Sequence, residues 1–269
     1  MKLISKKYLL LASLASAVLV TTASVAAVPS NVANTVHNFS TTGLSSVYKA
    51  TASSGMTQVC VFCHTPHNPG QAKLLWNKAS GGNTAFRLYT SSGTLSNITT
   101  TQSALPFPED SPSLLCLSCH DGKTAMNILH TASSPTAIDA TPFSYPAGTL
   151  LIDTTTGGLT PLIMPSPEPD LFTGLVGPSM NIGGTSGTDL TNDHPINFSY
   201  SDVYADDPVG LHDVVSAKSA GARFFGSNNR VECSTCHDPH VDTSSDISYK
   251  PFLVTSNTGS ALCLSCHDK

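Results

Sequence analysis

The chain has 269 residues, with 40% hydrophobic and 12% charged residues and a formal net charge of −5. Charge this sparse argues against a coiled coil, and the lack of any basic block argues against a nucleic-acid partner. No apolar run after the first 20 residues reaches the length of a membrane span.

In chain order, residues 1–27 read as an export signal. Lys2, Lys6 and Lys7 precede an apolar stretch from Tyr8 to Val20, and the small residues Ala23 to Ala27 supply an A-x-A-like cleavage site. The apolar stretch is shorter than a bilayer requires, so no membrane anchor is expected after cleavage. Residues 28–130 form a first unit with two cysteine motifs. Residues 131–190 follow as a connecting segment with eight Pro, eight Gly and no Lys or Arg, and no helical or alternating period survives there. Residues 191–269 form a second unit with two more cysteine motifs.

All eight cysteines fall in one pentapeptide: Cys60-Val-Phe-Cys63-His64, Cys116-Leu-Ser-Cys119-His120, Cys233-Ser-Thr-Cys236-His237 and Cys263-Leu-Ser-Cys266-His267. C-x-x-C-H is the attachment sequence of c-type haem. Two thiols one turn apart each form a thioether to a vinyl group, and the adjacent imidazole falls under the iron as the proximal ligand. Disulfides or Cys₄ zinc sites would leave a His after every second Cys unexplained. A thioredoxin-like redox pair would need one motif rather than four. The cofactor expectation is therefore four covalently attached haem c groups, with His64, His120, His237 and His267 as proximal ligands.

A tandem repeat nominates the distal ligands. The first unit reads His37-Asn-Phe-Ser, then C-V-F-C-H-T-P-His67, then L-C-L-S-C-H-D. The second reads His194-Pro-Ile-Asn-Phe-Ser, then C-S-T-C-H-D-P-His240, then L-C-L-S-C-H-D. His37, His67, His194 and His240 are thus the expected distal ligands. His67 and His240 each lie three residues beyond a proximal His, a spacing that puts both on one side of a helical turn. Each should therefore ligate a neighbouring haem rather than its own. His130 and His212 have no counterpart in the other unit and are not assigned. Met56, Met126, Met164 and Met180 do not follow the repeat, so bis-His iron is expected throughout.

The expected fold is mostly irregular coil, with short α-helices at the haem-attachment motifs and little sheet. About 60 residues per haem are too few for a conventional apolar core, so four stacked haems should supply much of it. Short apolar clusters such as Leu74-Leu75-Trp76, Phe86-Arg87-Leu88-Tyr89, Phe224-Phe225 and Pro251-Phe252-Leu253 are expected on porphyrin faces.

Six segments carry a resemblance: V-C-V-F-C-H-T-P-H-N at 59–68, L-L-W-N at 74–77, L-C-L-S-C-H-D-G at 115–122, D-H-P-I-N-F at 193–198, V-E-C-S-T-C-H-D-P-H at 231–240 and L-C-L-S-C-H-D at 262–268. Together they resemble the doubled C-x-x-C-H family of multihaem cytochromes, and within it the tetrahaem outer-surface cytochromes of metal-reducing bacteria that polymerise into extracellular nanowire filaments. The resemblance implies alternating parallel and T-shaped haem pairs, bis-His iron, and a distal His supplied by the adjacent subunit. His37, close behind the cleavage site, is the natural donor.

The functional expectation is an electron carrier rather than an enzyme, because bis-His ligation leaves no open iron position. It would act extracellularly as a filament subunit, its partners being copies of itself and other redox proteins or extracellular acceptors. A soluble periplasmic shuttle is the rival reading.

Overall fold

The computed structural model describes residues 30–43, 49–50, 57–65, 76–77, 86–89, 102, 106–121, 143–144, 182, 189–191, 193–244 and 246–269. The expected export signal, His67, His130 and most of the 131–190 segment lie outside the described residues. Among the described residues no helix is long and apolar enough to cross a membrane.

Regular structure is short. Among the described residues the helices are α1 (Pro112–His120), α2 (Tyr200–Asp206), α3 (Val214–Ser219), α4 (Cys233–Cys236) and α5 (Ala261–Leu264). The strands are β1 (Lys49–Ala50), β2 (Phe143–Ser144), β3 (Phe198–Ser199) and β4 (Arg230–Val231). They pair antiparallel as β1–β2, with Lys49 opposite Ser144, and β3–β4, with Phe198 opposite Val231. Single 3-10 turns occur at Val32–Asn34, Cys60–Phe62, Ile247–Tyr249 and Thr258–Ser260.

Local chemistry explains most helix starts. Pro112 opens α1, where its missing N–H would be unpaired anyway. Ser199 accepts from the Asp202 amide at the start of α2, and Asp213 accepts from the amides of Val215 and Ser216 at the start of α3. Helix α4 begins with a capping box, in which Thr235 accepts from the Glu232 amide at 2.9 Å and the Glu232 carboxylate accepts in return. Gly221 ends the α3 turn at φ +112°, and a Cβ there would meet the Thr255 side chain at 3.0 Å.

Three small apolar clusters hold these pieces. Phe198, Tyr200, Val203, Ala217, Ala222 and Val231 form one, with Phe224 stacked on Tyr200 at 4.5 Å. Leu88, Leu117 and Leu190 form a second, and Leu253, Val254 and Leu262 a third. Leu88, Phe224 and Leu253, expected on porphyrin faces, pack on other side chains in these clusters. Described residues far apart in the chain also interlock. Ser30 bridges Val241, the Asn31 amide donates to the His240 carbonyl at 2.9 Å, and Gln102 donates to Asp202 at 2.9 Å. Arg87 and Asp189 pair at 3.6 Å, and the Leu190 amide donates to the Arg87 carbonyl.

Candidate haem sites

Each C-x-x-C-H motif closes a tight turn. The amides of His64, His237 and His267 donate to the carbonyls of Cys60, Cys233 and Cys263 at 2.8, 3.0 and 3.0 Å. Cys116, Cys119 and His120 occupy the last turns of α1.

Each turn is anchored from outside. At the first motif, the Asn77 amide donates to the Cys63 carbonyl, and its side chain donates to the Val61 carbonyl at 2.7 Å. Trp76 sits edge-on to His64 at 5.6 Å, and its indole N–H reaches Ser118 on α1 at 3.0 Å. Phe39 meets Phe62 of the same motif at 5.9 Å. At the fourth motif, the Tyr200 hydroxyl donates to the carbonyls of His212 and Cys266 at 2.7 and 3.1 Å. Burial pushes its phenol above the ordinary range, so it stays a neutral donor. His212, unassigned from sequence, is used here through its backbone: its amide donates to Cys266 at 2.9 Å.

Helices α1 and α4 carry the second and third motifs and meet at a buried carboxylate. Glu232 is 1% exposed. One of its oxygens accepts from the hydroxyls of Ser111 (2.6 Å) and Ser113, and the other accepts from Arg230 Nε at 2.9 Å. Ser113 in turn accepts from the Cys233 amide at 2.9 Å. Arg230 also reaches Asp110 at 3.3 Å. The side chains of Cys116 and Cys233 neighbour each other across this junction. No local sequence signal marks this clip, because its partners lie more than 100 residues apart.

Three of the histidines expected as proximal ligands each lie beside one expected as distal. The ring centres of His37 and His120 are 6.2 Å apart, those of His64 and His240 6.3 Å, and those of His194 and His267 6.4 Å. The interplanar angles are 61°, 18° and 69°. Two imidazoles trans on one metal, with metal–nitrogen bonds of about 2 Å and about 1.1 Å from nitrogen to ring centre, stand about 6 Å apart. The ring plane contains the metal–nitrogen bond, so any angle between the planes is compatible. The residues present therefore fit a haem iron at each of these three pairs. His67, the counterpart of His240, lies outside the described residues, and so does any pairing of His67 with His237.

Burial, then His120 and His240, lower the His37 imidazole to about 3. It is thus neutral, and its shielded Nδ1 has no partner among the described residues. A neutral imidazole with a free lone pair is the state a metal takes. His194 and His237 hydrogen-bond through Nδ1 to the carbonyls of Pro195 and Pro251 at 2.9 and 2.8 Å, which leaves Nε2 as the ligand atom. His240 uses Nδ1 on the Asp238 carboxylate at 2.8 Å. That contact and Arg223 at 2.7 Å hold the Asp238 carboxyl well below the usual range, and Asp238 raises His240.

One sequence expectation is corrected. The His237–His240 spacing is not a helical turn: α4 ends at Cys236, and His237 is extended at φ −116°, ψ 143°. Pro239 disfavours helix at the residue before it and breaks the turn. His237 and His240 therefore do not share one side of a helix.

Residues 227–269 match the family described as the doubled CXXCH motif. No curated protein matches the chain. The C-x-x-C-H motifs indicate covalently bound haem c, and the doubled motif points to a multihaem c-type cytochrome in electron transfer.

Proposed function

We propose that the chain is an exported tetrahaem c-type cytochrome that passes electrons along closely spaced bis-His haems, outside the cell, as the subunit of a conductive filament. The observation that carries the haem part is the common 6.2–6.4 Å separation of three proximal–distal imidazole pairs drawn from four intact motifs. Haem supplies a one-electron iron couple.

The chain's own residues do the rest. Eight thiols fix the four groups by thioether bonds, and His64, His120, His237 and His267 face one side of each iron. His240, His37 and His194 are proposed opposite His64, His120 and His267. The repeat then gives His67 to the iron of His237, so the two units exchange ligands reciprocally. With both axial positions filled, substrate has no access to iron, which favours a carrier over a reductase. The neighbouring side chains of Cys116 and Cys233 support close approach of the second and third haems, and hence a path between the units.

The filament part concerns His37. Segment 30–43 reaches the second unit through Ser30–Val241, Asn31–His240 and Asn34–Asp242 contacts. An adjacent copy could make the same contacts by exchange of that segment, which would give its iron a distal ligand in trans. A soluble monomeric shuttle is the second reading, and it is favoured by the His37–His120 pair within one chain.

Negative-stain electron microscopy of protein from its native host decides between them. Uniform filaments that disappear in His37→Ala, with four haems still attached by mass, support the polymer. Discrete monomers at every concentration sink it and leave the shuttle.

A further inference from the structure

The three distal imidazoles and His237 differ in what their second nitrogen touches. His194 and His237 donate to peptide carbonyls. His240 donates to Asp238 Oδ1 at 2.8 Å, and the same oxygen takes the His240 amide at 3.0 Å, so both ring and backbone are fixed. The other oxygen, Oδ2, is held by Arg223 at 2.7 Å. The carboxylate is therefore fully engaged, and it lies on the far side of the imidazole whose ring centre is 6.3 Å from that of His64.

A carboxylate on the outer nitrogen of a ligating imidazole makes the ring a stronger donor, because the N–H proton is partly drawn away. A stronger donor favours ferric over ferrous iron. A peptide carbonyl does this far less. Arg223 offsets part of the negative charge through space but leaves the hydrogen bond intact.

We propose that Asp238 sets the potential of the haem attached at Cys60 and Cys63, lowering it through the Nδ1–H of His240. This rests on the reading of His240 as that haem's distal ligand. Asp238 itself touches no iron and acts only through the imidazole. No local motif distinguishes it as such: the first unit carries Thr65 at the corresponding position, two residues before its own His67. Threonine cannot supply an anionic acceptor, so the two reciprocal ligands would differ in donor strength.

The test is a spectroelectrochemical titration of the purified holoprotein. In Asp238→Asn every haem should stay low-spin, and one couple should move up by at least a tenfold change in its reduction equilibrium, about 59 mV for one electron. The charge-balanced double variant Asp238→Asn/Arg223→Gln should keep the rise. A rise that vanishes in the double variant, no rise at all, or a haem that turns high-spin in Asp238→Asn each overturn the proposal. The last would mean that Asp238 only holds the ring in place. His240→Ala separates this from the ligation reading: one high-spin haem upholds ligation by His240, and an unchanged low-spin spectrum refutes it.

Discussion

His37 reaches His120 because the residues behind it lock themselves. Asn38 donates to the Ala33 carbonyl at 2.9 Å and accepts from the amide and hydroxyl of Ser40 at 3.1 and 2.6 Å, all in a buried loop. Gly43 closes the loop against the Asn38 carbonyl, where a Cβ would come within 2.0 Å. Phe39 adds its ring to Phe62 of the first motif. The second Asn-Phe-Ser behaves differently in detail: Asn197 takes φ +63° and its amide donates to Val231, while Phe198 enters the core. In both copies the tripeptide positions a loop beside a distal histidine. The repeat makes the proximity of His37 to His120 and of His194 to His267 readable in part from sequence. The Asn38 lock is not, because an Asn before Phe-Ser carries no local pattern of its own. Replacing Asn38 with Ala should cost about 2 kcal/mol by stranding buried backbone groups. It should also turn a fraction of one haem high-spin, which an absorption spectrum reads directly.

At the scale of elements, the motif turns were predictable and their clamps were not. C-x-x-C-H marks where a turn must form, and all four do form one. What orients the turns relative to each other is long-range chemistry: Trp76 on Ser118, Tyr200 on Cys266, and above all Glu232 between α1 and α4. A carboxylate buried this completely is tolerable only because two hydroxyls and Arg230 satisfy it. Glu232→Ala removes that acceptor and leaves Ser111, Ser113 and Arg230 without it. The expected loss is about 3 kcal/mol, seen as a lower thermal midpoint. Glu232→Gln keeps the shape but not the charge, and should fall between the two. Tyr200→Phe removes only one donor shared by two carbonyls and should cost about 1 kcal/mol.

For the whole molecule, the described protein structure is too slight to stand alone. Isolated helices shorter than about 12 residues are marginal in water, and the longest described helix here has 9. The three apolar clusters hold three to six buried residues each. Covalent attachment of large apolar groups would fill that deficit, which is why composition alone hinted at a cofactor-built core. The chain produced without haem attachment should therefore be largely unfolded, with a coil-like far-ultraviolet circular dichroism spectrum. A cooperative melt of the haem-free chain would contradict this.

The order of the units in space was beyond the sequence. Loop 30–43 and the Gln102–Asp202 contact tie residues of the N-terminal part to the C-terminal part through contacts that no repeat or period in the sequence announces. The sequence leaves the assignment of distal to proximal histidines open; the ring separations bring His240 near His64, His37 near His120 and His194 near His267, and the proposed assignment follows these proximities. The central claim is that these pairs hold iron. Near-infrared magnetic circular dichroism of the oxidised, purified protein tests it most directly. The account predicts bis-His low-spin iron at four equivalents per chain; a methionine–histidine band, or a high-spin fraction amounting to one haem or more, would contradict it.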